Sequence, residues 1–334
     1  MIRGLKWTLA ILALVAGSAT AQTTLVGAGA TFPYPIYSKW FSEYHKQHPD
    51  VEINYQSIGS GGGIRQVIAG TVDFGASDVG MTDEQLKQAK SPIQLIPTVM
   101  GSIVPAYNIP GVTQELKFTP DVLANIFLGK ISTWNDPAIQ KINPDVKLPN
   151  QNINVVHRSD GSGTTGVFTD YLSKVSPEWK SNVGSSTSVK WPVGIGGKGN
   201  EGVAGTIRAV DGAIGYVELI YALQNKITFG SVKNAAGVFM KADLQNTSAA
   251  ANGVKIPDDY RVSITNSPNK DAYPIATFTW LLVPKKPSDA NKGKIIKDFL
   301  AWMIDDGEKM TDQLDYAPLP QPLQERVKKT VSSL

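Results

Sequence analysis

The sequence contains no cysteine and only three histidines among its 334 residues. Without cysteine the chain has no disulfide, no thiolate nucleophile and no thiolate metal ligand. The histidines, His45, His48 and His157, do not form a group with acidic residues at metal-ligand spacing. No G-x-x-x-x-G-K-[ST] phosphate loop occurs either. We therefore predict neither a metal site nor a cofactor.

The first 21 residues have the pattern of a secretory signal. Arg3 and Lys6 precede a short apolar run over residues 7–16, and residues 19–21 form a small-x-small cleavage site. The apolar run is too short to span a bilayer comfortably, and no similar run follows it. Export without disulfides is compatible with a bacterial periplasm. We expect a soluble periplasmic protein after cleavage.

Charge of either sign is sparse as well. Charged residues make up 18% of the chain, and the formal net charge is +3. Loss of the leader would remove two of the 32 basic residues and none of the 29 acidic ones, which leaves +1. Because the basic residues are also dispersed, the sequence predicts no nucleic-acid partner. Any specificity for an anion has to come from a local site.

Three segments share one order of elements: a strand, a turn rich in glycine and hydroxyl residues, and a helix. They cover residues 23–49, 51–70 and 152–175, and a further short strand ends at Asp78. Strands that alternate with helices predict an α/β fold with largely parallel sheets. In such sheets ligands bind beyond the carboxyl ends of the strands, which is where each of these turns would lie.

Two apolar stretches that contain prolines, residues 102–111 and 271–284, are candidates for links between two lobes. If the chain leaves one lobe at the first stretch and returns at the second, its terminal parts form one lobe and its middle forms the other. We expect lobe I to comprise residues 22–107 and 276–334, and lobe II to be an insertion of residues 108–275.

Residues 158–166, RSDGSGTTG, follow a predicted strand directly. The start of a helix presents unpaired backbone N–H groups and a positive dipole end, so this turn is suited to an anion. Arg158 would add a charge-assisted contact, and Ser162 and Thr164 would add neutral donors. The alternative is that Asp160 or Ser162 only caps the helix.

Two other turns have the same character. Thr31 and Phe32 precede the first helix, and residues 59–63, Gly-Ser-Gly-Gly-Gly, precede the second. Four glycines in five positions indicate close approach of the backbone to another group. We predict that the three helix ends form one shared anion cradle.

An enzyme is the main alternative from another class, with Ser162 or Thr164 as a nucleophile. Neither Ser60 nor Ser162 has the G-x-S-x-G spacing of a nucleophile elbow, and no base is evident. Residues 194–199 match G-x-G-x-x-G, but Pro192 interrupts the run before them. We expect an interlobe loop there instead of a dinucleotide site, and we predict no catalytic residues.

Several segments together resemble the periplasmic phosphate-binding proteins of bacterial ABC phosphate transporters. They read GAGATFPYPIYSKW, NYQSIGSGGG, TVDFGASD, LGKISTWNDPAI, VVHRSDGSGTT, KWPVGIGGKGN, GAIGYVE and LDYAPLP. The resemblance implies a type II periplasmic binding protein, with two lobes of mixed, mostly parallel sheet flanked by helices, a hinge, and an anion held dehydrated in the cleft. It implies high-affinity binding of inorganic phosphate and its delivery to an inner-membrane ABC permease, and we expect a monomer.

The phosphate contacts of that family, carried over motif by motif, fall on Thr31, Phe32, Ser60, Asp78, Arg158, Asp160, Ser162, Gly163 and Thr164. Gly61 stands where relatives often have a second serine, and His157 stands where another basic residue is common. Neither departure alters a predicted contact.

The two acidic residues in this set need separate explanations. Phosphate carries a proton near neutral pH and sulfate does not, so an ionised Asp78 would accept a hydrogen bond from phosphate and repel sulfate. Alternatively, Asp78 only caps the turn before Met81. Asp160 would pair with the guanidinium of Arg158 and fix its plane. A secreted phosphatase, or a binder of sulfate, molybdate or a phosphonate, is the alternative function.

Overall fold

The computed structural model describes residues 22–334, and the predicted leader, residues 1–21, lies outside that part of the chain. The strands described are β1 (Thr23–Gly29), β2 (Val51–Ser57), β3 (Phe74–Ser77), β4 (Ile93–Asn108), β5 (Lys117–Phe118), β6 (Asn154–Arg158), β7 (Ile195–Gly197), β8 (Ala213–Glu218), β9 (Thr228–Phe229), β10 (Ser231–Lys233), β11 (Phe239–Met240) and β12 (Ala276–Pro284).

The helices in the same part of the chain are α1 (Tyr34–Gln47), α2 (Ser60–Ala69), α3 (Asp83–Gln88), α4 (Pro120–Phe127), α5 (Pro137–Ile142), α6 (Gly163–Val175), α7 (Pro177–Asn182), α8 (Gly199–Ala209), α9 (Leu219–Gln224), α10 (Leu244–Ala249), α11 (Ala290–Trp302) and α12 (Gln321–Ser332). Short π and 3-10 turns lie between α11 and α12. None of the helices in residues 22–334 has the length and apolar character needed to cross a membrane.

One nine-stranded sheet runs through the molecule in the order β2-β1-β3-β12-β4-β8-β6-β7, with β9 paired to β4. At one end β1 is parallel to β2 and β3, and at the other end β6 is parallel to β7 and β8. The strands between them are antiparallel, since β12 pairs in that sense with β3 and β4, and β4 does so with β8. Parallel strands joined by helices confirm the predicted α/β class.

Strand β4 connects the two ends of the sheet because it changes partner along its length. Its residues 93–102 pair with β12, and its residues 103–108 pair with β8. We keep the name lobe I for the part with β1–β3 and β12, and lobe II for the part with β6–β8. The change of partner falls within the first stretch predicted to link the lobes. The exact boundaries after residues 107 and 275 stay predictions.

Aromatic side chains hold the helices against the sheet. Helix α1 buries a stripe of Ile36, Tyr37, Trp40, Phe41 and Tyr44 against lobe I. Each large apolar side chain that is fully buried contributes roughly 1.5–3 kcal/mol. A helix of this length is marginal in isolation, so this packing, more than helix propensity, determines where α1 lies.

The three predicted strand–turn–helix units are confirmed as β1–α1, β2–α2 and β6–α6. Gly70 ends α2 in a left-handed conformation, with φ of 65°, which glycine adopts without strain. Thr82 and Gln85 form a capping box at the start of α3.

The glycine-rich segment at residues 194–199 is not the loop that we expected. Residues 195–197 form β7, an edge strand parallel to β6, and α8 begins at Gly199. Pro192 lies ahead of the strand, so it removes no hydrogen bond from the ladder. This segment is a fourth strand–turn–helix unit, and its helix also begins at the cleft between the lobes.

Glycine at position 63 is required by the contact of α2 with the sheet. A Cβ there would lie 2.6 Å from the Ala28 carbonyl oxygen and 2.8 Å from that of Ala76. We expect Gly63→Ala to lower the free energy of unfolding by about 1–3 kcal/mol, because this overpacking exceeds the gain in helix propensity. Urea titration measures this change in the free energy of unfolding. Gly205→Ala, in α8 with open space around the site, is the control and should stabilise by about 0.5–1 kcal/mol.

Candidate anion-binding site

The turns that carry the predicted site residues meet where the two lobes face each other. Strands β1 and β3 are parallel, so Thr31 and Phe32, after β1, and Asp78, after β3, leave the same edge of the sheet in lobe I. Helix α2 begins beside them. In lobe II, β6 ends at Arg158 and α6 begins at Gly163. The structure thus brings all nine predicted residues to the facing edges of the lobes.

The two lobes touch each other through glycines. The backbone N–H of Gly61 in lobe I donates to the carbonyl of Gly161 in lobe II at 2.9 Å. A Cβ on Gly163 would lie 2.6 Å from Asp78 Oδ2 and closer still to Ser60 Oγ. A side chain at position 163 would therefore hold the lobes apart. This agrees with the close backbone approach that the glycine run predicts.

Arg158 and Asp160 form the predicted ion pair. The Arg158 Nε donates to Oδ1 at 2.8 Å and Nη2 donates to Oδ2 at 2.7 Å, so the pair is bidentate. The Arg158 side chain is only 1% exposed. Burial by itself raises the pKa of Asp160, but the hydrogen bonds and charge of Arg158 outweigh burial and hold this pKa below its ordinary value. Arg158 Nη1 takes no part in the pair and has donor capacity left for an anion.

Asp78 lies on the opposite side of the cleft in a different environment. Its Oδ1 accepts from Thr279 Oγ1 at 2.9 Å, and its Oδ2 accepts from Ser60 Oγ at 3.4 Å. Burial raises the pKa of Asp78 to about 7, although these hydrogen bonds and the charge of Arg158 act in the opposite direction. Thr82 caps α3, and the Asp78 carboxylate contacts Ser60 and Thr279 instead of its own turn. The capping alternative does not account for Asp78.

Ser162 does cap a helix, as the alternative interpretation of this turn predicts. Its Oγ accepts the Thr165 N–H at 3.0 Å at the start of α6. This bond uses one lone pair of the hydroxyl, so its hydrogen can still be donated. Thr165, in contrast, turns toward the core of lobe II, where its Oγ1 lies 2.6 Å from the hydroxyl of Tyr216.

Two tyrosines hold the turn that follows β1. The Tyr221 hydroxyl donates to the Thr31 carbonyl at 2.6 Å, and the Tyr316 hydroxyl donates to the Phe32 carbonyl at 2.5 Å. Tyr221 comes from lobe II, so its bond also joins the lobes. Tyr316 comes from LDYAPLP, one of the segments quoted above, but its hydrogen bond links residues 284 positions apart. That contact could not be read from the sequence.

Sequence reasoning also missed Asn200 and Glu218. Asn200 is fully buried at the start of α8, and its Nδ2 donates to the Oγ1 atoms of Thr31 and Thr164 at 2.8 and 3.1 Å. Glu218 is fully buried at the end of β8, and its Oε2 accepts the Ile220 N–H at 2.9 Å. Burial raises the pKa of Glu218 well above its usual range. Both residues lie at the ends of glycine-rich segments, and this is the sequence feature that could have indicated them.

A cavity of about 650 Å³ lies between the lobes next to Asp78. Thr277, Gly166 and Arg261 also line it, but Arg158 and Thr164 do not. The cavity is therefore beside the predicted cradle and is not the cradle itself.

The fold and the site have counterparts in known proteins. The PBP superfamily domain model matches residues 14–307. The phosphate-binding protein PstS of Xylella fastidiosa (strain Temecula1) is 45% identical over 311 residues, which cover 92% of this chain and 85% of the relative. PstS of Pasteurella multocida is 46% identical over 322 residues, which cover 96% and 93%. PfluDING, a high-affinity periplasmic phosphate-binding protein solved with phosphate, matches with a TM-score of 0.75 at 22% identity, over 92% of this chain and 93% of the other.

These matches confirm the fold predicted for the chain. The likeness to PfluDING shows the two-lobed architecture of type II periplasmic binding proteins. The protein is thus a member of the PBP superfamily. Within it, the identity to PstS proteins over almost the whole length shows that the chain belongs to the family of phosphate-binding proteins.

The burial of Arg158 predicts that its partner is essential for stability. Asp160→Asn removes the compensating charge and should lower the free energy of unfolding by about 3–5 kcal/mol. Asp259→Asn is the matched control, because Asp259 pairs with the more exposed Arg261 across the same spacing. Asp259→Asn should lower the free energy of unfolding by less than about 1 kcal/mol. Urea unfolding measures the stability of both variants. Equal losses of stability in Asp160→Asn and Asp259→Asn would contradict the role of burial.

Proposed function

We propose that this protein binds inorganic phosphate with high affinity between its lobes and delivers it to an inner-membrane ABC permease. The observation that carries the proposal is the pairing of a buried arginine on one wall of the cleft with a buried acid on the other. Arg158 and the helix starts favour a negative charge. Asp78 favours a ligand that also has a proton to donate. Phosphate near neutral pH has both properties.

The proposed contacts are the nine residues predicted from the sequence: Thr31, Phe32, Ser60, Asp78, Arg158, Asp160, Ser162, Gly163 and Thr164. Removal of water from an isolated ion costs tens of kcal/mol, so nearly every oxygen of the ligand needs a donor. Hydrogen bonds to a charged group contribute roughly 1.5–3 kcal/mol each. About a dozen donors can offset that cost, and micromolar affinity needs a net of only about 8 kcal/mol.

Transport follows from the contact between the lobes. Donors come from both lobes, so a bound anion stabilises the closed arrangement by contacts that an open one lacks. The direct bond between Gly61 and Gly161 shows how near the two walls come. A permease would then recognise the closed shape of a periplasmic, monomeric carrier. The PstS relatives, named as phosphate-binding proteins, support this role.

A phosphatase is the rival function, and the surroundings of the hydroxyls argue against it. Ser162 caps α6, and within residues 22–334 its hydroxyl has no hydrogen bond to a histidine. His157 stacks on Trp191 with ring centroids 4.9 Å apart, and His45 lies beside the Val51 carbonyl. His48 packs against Tyr44 with ring centroids 4.3 Å apart, so none of the three histidines is placed to activate Ser162. Release of phosphate from a chromogenic ester by purified protein would contradict the proposal that this protein is not an enzyme.

Calorimetry with phosphate, arsenate, sulfate, molybdate and a phosphonate tests the binding function directly. We expect phosphate to bind with micromolar or tighter affinity and sulfate to bind at least about 10⁴-fold more weakly at pH 8, since a site with a required polar partner discriminates on that scale. Tighter binding of sulfate or a phosphonate than of phosphate would overturn the proposed ligand.

The pKa of Asp78, raised to about 7, predicts how sulfate binding varies with pH. Above this pKa the carboxylate is ionised and repels sulfate, whereas below it the neutral carboxyl can donate a hydrogen bond. Sulfate keeps its charge throughout, so its affinity should rise by about tenfold or more as the pH falls from about 8.5 to 5.5. Asp78→Asn should bind sulfate without this dependence.

Calorimetric titration of sulfate at several pH values measures the effect. Asp83→Asn, which changes an exposed acid of the same lobe, is the control and should keep the wild-type profile. If wild type and Asp78→Asn gave the same sulfate profile, Asp78 would not be the selective group.

A further inference from the structure

Asn200 sits where both lobes meet and has every polar atom of its side chain engaged. Its Nδ2 donates to Thr31 Oγ1 in lobe I at 2.8 Å and to Thr164 Oγ1 in lobe II at 3.1 Å. Its backbone N–H also donates to Thr31 Oγ1, at 3.1 Å. The Oδ1 atom accepts the Glu218 N–H at 3.0 Å. Because Glu218 N–H is a donor only, it fixes which way the amide points.

This arrangement determines the direction of two hydroxyl groups. A threonine hydroxyl has one hydrogen and two lone pairs. Thr31 Oγ1 accepts hydrogen bonds from the backbone N–H and from Nδ2 of Asn200. Thr164 Oγ1 accepts from Asn200 Nδ2 and from Arg158 Nη1, the latter at 3.4 Å. The lone pairs of both oxygens are therefore occupied. Within residues 22–334 neither hydroxyl donates to a protein acceptor, so both hydrogens are available to the cleft.

We propose that Asn200 is a positioning residue that locks Thr31 and Thr164 as hydrogen-bond donors toward the ligand. This inference rests on the proposed binding of phosphate. A ligand then has to present an acceptor to each threonine, and the oxygens of phosphate meet this demand.

The test replaces the donor amide with an acceptor of the same shape. In Asn200→Asp the Glu218 N–H keeps its acceptor, but both threonine hydroxyls turn to donate to the new carboxylate and are lost to the ligand. We expect phosphate to bind about tenfold or more weakly than to wild type at about pH 8.5. The deficit should shrink as the pH falls to about 5.5, because the introduced carboxylate becomes protonated and can again donate a hydrogen bond to a threonine oxygen.

The measured quantity is the dissociation constant of phosphate for Asn200→Asp divided by that for wild type, at each pH. Several titratable and charged groups surround position 200 in both proteins: Asp78, Arg158, Asp160, Glu201, Glu218 and Tyr221. The titration of free phosphate is common to the two proteins and cancels in the ratio. A loss of packing alone would give a ratio that does not change with pH, and that result would overturn the inference.

Asn143→Asp is the matched control. Asn143 is also buried, and its Nδ2 donates to two acceptors, the carbonyls of Lys117 and Ile139, while its Oδ1 accepts the Lys117 N–H. These contacts lie outside the cleft. The variant should lose stability in thermal unfolding and keep wild-type affinity for phosphate. Equal affinity in Asn200→Asp and Asn143→Asp would overturn the proposed role of Asn200.

A double-mutant cycle separates hydroxyl orientation from the added negative charge. In a Thr31→Val background one of the two oriented hydroxyls is already gone, so Asn200→Asp should cost severalfold less affinity than in wild type. Full additivity would show a charge effect alone. Asn200→Ser, which is neutral and smaller, gives the same comparison if the aspartate variant does not fold. Failure of wild type to bind phosphate would instead refute the proposed function.

Discussion

A positive charge held out of water is the constraint on which the cleft depends. The Arg158 side chain is 1% exposed, and a buried charge without a partner is strongly destabilising. Asp160 supplies the partner through two hydrogen bonds, and the Gly199 N–H at the start of α8 supports Asp160 at 3.0 Å. One ion pair thus ties the end of β6 to the starts of α6 and α8. Arg158 Nη1 lies 3.4 Å from Thr164 Oγ1 and has a further N–H to donate.

The acidic residues of the cleft have pKa values that are shifted in opposite directions. Asp160 is held ionised by Arg158, whereas burial raises the pKa values of Asp78 and Glu218. The neighbourhood therefore carries little net positive charge, in line with a chain whose basic and acidic residues nearly balance. An anion would be stabilised here mainly by N–H and O–H dipoles, which cost little to arrange because the fold has already oriented them.

Local features of the site were predictable because they depend on neighbours in the sequence. The stripe of α1, the capping box of Thr82 and Gln85, and the pair of Arg158 with Asp160 all join residues a few positions apart. The close approach of the backbone at residues 59–63 was also anticipated from the density of glycine there. The segment at residues 194–199 was misjudged, because a nearby proline counts against a strand only if it lies within the ladder.

The sequence by itself determined the α/β class, the three helix starts, the ion pair and the family resemblance. Tertiary structure alone decided the state of Asp78, since its pKa follows from burial and from a hydrogen bond to Thr279, 201 positions away. It also decided the role of Asn200, which lies 169 positions from Thr31. Sequence patterns report on backbone and packing over a few residues. Desolvation and hydroxyl direction depend on which distant groups the completed fold brings within about 3 Å of each other.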